Sequence, residues 1–97
     1  MRENAIVKAI LGYLRGLNGV FCWKEHGGQY GTAGVPDIIC CCEGKFVALE
    51  VKVPGNKPTE LQKRTLEAIE AAGGVAAVVH SVDEVKEVMS AAQRKAV

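Results

Sequence analysis

The 97-residue chain is 48% hydrophobic and 24% charged, which suits one compact domain over residues 1–97 and excludes a second one. Its formal net charge of +1 excludes an overall basic nucleic-acid binder, so any basic surface must be local. No leader-like segment and no apolar stretch long enough to span a bilayer is present, so a cytoplasmic protein without membrane contact is expected.

Residues 2–17 carry apolar side chains at helical spacing, with Val7, Ile10, Leu14 and Leu17 on one stripe and Ile6 and Leu11 beside it, which predicts a helix. Asn18 and Gly19 offer a left-handed stop. Four residues before Val7 the stripe reaches Glu3, which aims a carboxylate at the buried side; complementing the helix dipole is the simpler role.

Residues 20–25 read as a strand, and 27–34 are too rich in glycine for regular structure. Two β-rich runs follow at 37–42 and 45–53, joined by Glu43-Gly44, which suits a tight hairpin turn. After Pro54 to Pro58, Thr59 opens a helix expected to run to about residue 72, before Gly73-Gly74. Thr59-Glu60-Leu61-Gln62 has the form of a capping box. Residues 75–80 are a short apolar strand, and Ser81 caps a last helix carrying Val85, Val88, Met89 and Ala92.

The order αβββαβα predicts an α/β fold, a mixed sheet flanked by helices. Three antiparallel strands come first, and a helical crossover brings in the fourth. Cys40, Cys41 and Cys42 are consecutive within a strand and form neither a disulfide framework nor a zinc pattern. All four thiols, Cys22 included, are expected to be reduced and buried as small hydrophobes.

A turn centred between Glu43 and Gly44 sets Asp37 opposite Glu50. Directly opposed residues share a sheet face with Cβ atoms about 4.5–5.5 Å apart, close enough for two carboxylates to share one cation. Lys52 points to the same face, two residues beyond Glu50, while Val47, Leu49, Val51 and Val53 make the other face apolar. Opposed like charges destabilise a sheet unless something positive lies between them, and a divalent metal meets that need better than Lys52 alone. The competing reading is an ordinary solvated Glu50 and Lys52 pair, with Asp37 a turn residue after Pro36.

Gly34-Val35-Pro36-Asp37, Glu50-Val51-Lys52 and the following Gln62, together with the leading Glu3, resemble the PD-(D/E)XK nucleases and most closely their VRR-NUC branch. The resemblance covers most of the chain and implies a restriction-endonuclease-like fold that hydrolyses phosphodiester bonds with Mg2+ or Mn2+. It places Asp37, Glu50 and the main-chain carbonyl of Val51 on the metal, with Glu3 reaching it directly or through water. Lys52 would position the attacking water or help deprotonate it. Gln62 would stand in the active site, a role expected to exclude the capping box, and the site is favoured.

Phosphate contacts are expected from Lys24 and Tyr30 beside the glycine-rich segment, and from Lys57, Lys63 and Arg64 around the start of the second helix. Stand-alone domains of this branch resemble phage or bacterial junction-resolving enzymes. A structure-selective endonuclease for branched DNA such as four-way (Holliday) junctions is therefore expected. A flap or end-directed nuclease and a catalytically weak nucleic-acid-binding subunit are the alternatives. Two matched cuts call for a homodimer, for which the stripes of the first and last helices, with Phe21 and Trp23, offer apolar surface.

Overall fold

A computed structural model describes residues 2–26 and 33–95. Its elements are α1 (Glu3–Arg15), β1 (Val20–Lys24), β2 (Ile38–Cys42), β3 (Lys45–Val51), α2 (Glu60–Ala71), β4 (Val75–Val79) and α3 (Val82–Lys95). The order is the expected αβββαβα. The four strands form one sheet in the order β1-β2-β3-β4. The first two pairings are antiparallel and β3 with β4 is parallel, as a helical crossover requires.

The apolar stripe of α1 is inside: Ile6, Val7, Ile10, Leu11 and Leu14 are buried. With Val85, Met89 and Ala92 of α3 they cover one sheet face, made of Cys22, Ile38, Cys40, Cys42, Val47, Leu49, Val51 and Val79. Each large aliphatic side chain enclosed here contributes roughly 1.5–3 kcal/mol over its exposed state. These stripes therefore close the core, and the expectation that they offer free surface to a second copy is corrected. The other face carries α2, which packs over β4 and β3. No helix among the described residues is long and apolar enough to cross a membrane.

Helix α1 ends earlier than the sequence suggests. Gly16 caps it in an ordinary right-handed conformation, because the Gly16 and Leu17 amides turn back onto Tyr13 and Leu14. Gly19 is indeed left-handed, with φ +75, but serves the entry to β1. Its carbonyl accepts from the Glu43 amide at 2.7 Å, and an added Cβ would lie 2.9 Å from Glu43 Cγ.

Between β2 and β3, Glu43 and Gly44 both adopt positive φ, 51° and 85°. Two such residues in succession make the hairpin turn whose twist matches the strands. The ladder runs from Cys42 with Lys45 to Ile38 with Leu49, which is the expected register.

The cysteines are free thiols. Cys22, Cys40 and Cys42 are buried as expected, whereas Cys41 is exposed, because strand alternation turns it to the half of the sheet that α2 leaves open.

Candidate active site

Strand β2 begins at Ile38, so Asp37 stands one residue outside the ladder instead of inside it. The reason is local. Asp37 Oδ2 accepts from the Val51 amide at 2.8 Å, taking up the N–H that a longer β2 would have paired. The Asp37 carbonyl accepts from the Glu25 amide at 2.8 Å, which fastens the same residue to the end of β1. Asp37 is thereby held at the expected position opposite Glu50.

Glu50 lies on the sheet face under α2 and is only 2% exposed. This burial rules out an ordinary solvated pair with Lys52. Glu50 Oε2 has two partners, the Gln62 amide Nε2, which donates at 3.3 Å, and Lys52 Nζ at 3.9 Å. Its other oxygen, Oε1, is buried and has no hydrogen-bond partner among the described residues. Burial first, then the neighbouring Asp37 carboxylate, push the Glu50 carboxyl up to about 8, with Glu3 adding to the effect and Lys52 opposing it. Glu3 of α1, partly buried, is therefore close enough for its charge to be felt at Glu50.

Gln62 corrects an either-or expectation. Thr59 Oγ1 accepts from the Gln62 amide at 3.2 Å and Gln62 Oε1 accepts from the Thr59 amide at 2.8 Å, a complete capping box. The same side chain donates to Glu50 from Nε2. One amide has two ends, and here each meets the partner its polarity demands: a backbone N–H at the oxygen and a carboxylate at the nitrogen.

The cationic residues are not gathered as a group. Register pairs Lys24, expected to contact phosphate, with Ile38, on the sheet face opposite Glu50. Lys63 and Arg64 are exposed on α2 beside Gln62, with Lys63 Nζ 3.7 Å from Glu60. Lys57 is exposed before α2 and lines a groove of about 360 Å³ with Asn56, Val78 and His80. Tyr30 lies outside the described residues. Sequence reasoning passed over Glu25, which follows Lys24 into the row of Asp37 and Glu50; the alternation of Phe21, Trp23 and Glu25 was the available signal. Its carboxylate is occupied, accepting from Trp23 Nε1 at 2.7 Å.

Among the described residues no three His, Cys, Asp or Glu side chains gather as a metal site. Two carboxylates still fit magnesium, which commonly binds through one or two of them and keeps several waters. The orphaned Glu50 Oε1 is the observation that favours a cation, since an unpartnered buried carboxylate oxygen is costly.

No profile of a known protein family matches the chain. It is 33% identical over 84 residues to "Putative nuclease p44" of Acyrthosiphon pisum secondary endosymbiont phage 1, spanning 86% of this chain and 87% of that protein. Two solved structures share its fold. One, named VRR_NUC domain, has a TM-score of 0.75 at 26% identity and covers 91% of this chain and 94% of its own. The other, named VRR_NUC domain protein, has a TM-score of 0.75 at 17% identity and covers 98% of this chain and 90% of its own. With a nuclease-named relative along most of its length and this fold throughout, the chain belongs to the VRR-NUC nucleases of the PD-(D/E)XK superfamily.

Proposed function

We propose that the protein is a metal-dependent, structure-selective DNA endonuclease acting on branched DNA, with four-way junctions as the substrate and Asp37, Glu50 and Lys52 as its catalytic centre. The observation that carries this reading is the buried Glu50 carboxylate, with one oxygen unpartnered beside Asp37 and Lys52. No packing role needs such a group, and removing it from water is expensive.

Glu50, Asp37 and the Val51 carbonyl would hold Mg2+ or Mn2+, an all-oxygen set suited to hard cations. When bound, such an ion neutralises phosphoryl oxygens and lowers the pKa of its water. The chain's own residues supply the rest. Gln62 fixes Glu50 Oε2 and leaves Oε1 for the ion. The Val51 amide fixes Asp37 through Oδ2. Lys52 would position the attacking water or help deprotonate it, and Glu3 acts on Glu50 through its charge. Lys57, Lys63 and Arg64, exposed around the start of α2, would contact backbone phosphates, with Tyr30 a further candidate.

Resolving a four-way junction takes two matched incisions, so a homodimer with one site per chain suits it. A chain acting singly would instead give flap or end-directed cleavage. The free thiols and the phage relative support action in the cytoplasm of a bacterial cell or phage-infected host. The test is cleavage of linear, flapped, splayed and four-way DNA with and without magnesium, with light scattering to count copies. Magnesium-dependent cutting confined to branched forms is expected. Binding without cutting in any metal would reject the enzyme and leave a binding subunit.

A further inference from the structure

The register orders the sheet face that carries Glu50 into rows. Phe21 pairs with Cys41, which pairs in turn with Phe46, and Trp23 pairs with Ile39, which pairs with Ala48. Glu25, Asp37 and Glu50 form the next row, with Glu25 tied to Asp37 through the main chain. Successive rows are about 7 Å apart along the strands. Helix α2 covers the β3 and β4 side of this face. Over β1 the face is open, with Phe21 69% exposed and Trp23 40% exposed.

The two β1 rings are neighbours without being stacked face to face. Their centroids are 5.9 Å apart with planes tilted by 48°. The indole is oriented by its 2.7 Å bond to Glu25, whose own amide bonds the Asp37 carbonyl at 2.8 Å. Two exposed aromatic rings thus stand on β1 next to the Glu25 end of the carboxylate row, the nearer one, Trp23, oriented by Glu25 itself.

We propose that Trp23 and Phe21 are a stacking platform for unpaired bases of the DNA strand whose phosphodiester is held at Asp37 and Glu50. The proposal rests on the nuclease reading and narrows it to branched DNA that offers unpaired nucleotides beside the cleavage point, as a four-way junction does when its branch point opens. Continuity with the nuclease site decides between occupants. A second copy seated on this face would cover the approach to Glu50, whereas a strand crossing it arrives there. Stacking on aromatic faces tolerates any base, which suits an enzyme that selects structure over sequence. It also explains why large apolar side chains are left in solvent beside a polar site.

Trp23 is the single tryptophan, so its emission reports on this position alone. The full chain is titrated, in chelator, with a short oligodeoxythymidylate and with a blunt duplex of matched charge. Anisotropy of end-labelled DNA is recorded in parallel. The single strand quenches Trp23 as it binds, and the duplex binds with little quenching. Phe21→Ala, at an exposed position where folding is checked by circular dichroism, weakens single-strand binding roughly fivefold or more. It leaves the duplex unaffected, and Phe21→Tyr restores affinity.

Binding seen by anisotropy with no quenching, and with Phe21→Ala silent, overturns the platform and leaves the nuclease reading standing. No binding to any DNA overturns both. Trp23 emission that shifts with protein concentration in the absence of DNA assigns the face to a second copy and overturns the proposal.

Discussion

Gln62 donates a hydrogen bond from Nε2 to Glu50 Oε2 at 3.3 Å while its Oε1 accepts from the Thr59 amide at 2.8 Å. The start of α2 and the most deeply buried carboxylate of the sheet are therefore joined through a single side chain. Capping, a local stabilising device, here also orients a reactive group.

These two roles are separable by substitution. Gln62→Glu keeps an acceptor for the Thr59 amide, so the cap survives, but it sets a carboxylate against Glu50. Helix content should be retained and magnesium-dependent cleavage should fall by about tenfold or more, since a misplaced group can cost up to about 100-fold. Gln62→Ala should lose activity and also about 0.5–1.5 kcal/mol of stability, because the Thr59 amide loses its acceptor while Thr59 still caps the helix. Wild-type turnover in Gln62→Glu, measured beside its melting curve, would show that the amide serves the helix alone.

Much of the site was legible because one short turn governs it. Two positive-φ residues at Glu43 and Gly44 admit one register, and that register carries Asp37 to Glu50. Burial was less legible. The alternation of 47–53 announces one apolar face, but it does not tell that α2 covers the other and leaves Glu50 dry. Gln62 defeated an either-or reading because motif patterns assign a residue, whereas hydrogen bonds are made by its separate atoms. The open half of the sheet was hidden as well. Phe21, Trp23 and Cys41 look like core until it is known that α2 packs chiefly over β4 and β3.

The catalytic residues should fail in distinct ways. Asp37→Asn keeps an oxygen for the Val51 amide and Glu50→Gln removes the charge of a buried carboxylate, so both should remain folded while losing most magnesium binding, measured by calorimetry. Lys52→Ala should bind magnesium nearly normally and cut about 100-fold or more slowly, the range for a lost proton-transfer group. If Lys52→Ala cuts at the parental rate, another group activates the water.

Cysteine reactivity should follow the strand alternation. Cys40 is fully buried, and burial, with its neighbouring thiols, pushes its pKa up to about 12; thiolate is scarce there and reagent has no access. Cys41 is exposed on the opposite face. In the folded protein a small alkylating agent should modify Cys41 first and Cys40 only on unfolding, as peptide mass mapping over time would show. Cys40→Ala should cost stability without touching metal binding. Early labelling of Cys40 would mean that β2 opens far more readily than its central place in the sheet implies.

The remaining prediction concerns pH and follows from Glu50. Its carboxyl is ordinarily near 4.5 but is pushed up to about 8 in the folded chain, chiefly by burial. Over that interval the folded state holds a proton that the unfolded state has released. Stability from this group is therefore complete below about pH 4.5 and is lost as pH rises through about 8, with a total on the order of a few kcal/mol. His80 is also raised, first by its hydrogen bond to Glu84, and loses stability in the same direction, so the comparison must isolate Glu50. Metal-free wild type should melt at progressively lower temperature than Glu50→Gln as pH rises from about 5 to about 9, with His80 unchanged in both. Magnesium competes with the Glu50 proton, so its stabilising effect should be small at the acid end and grow with pH. Melting curves at several pH values, with and without magnesium, decide it. Parallel pH profiles for wild type and Glu50→Gln would show that Glu50 is already ionised in the metal-free fold, and would remove the buried, proton-holding carboxyl from the account of the site.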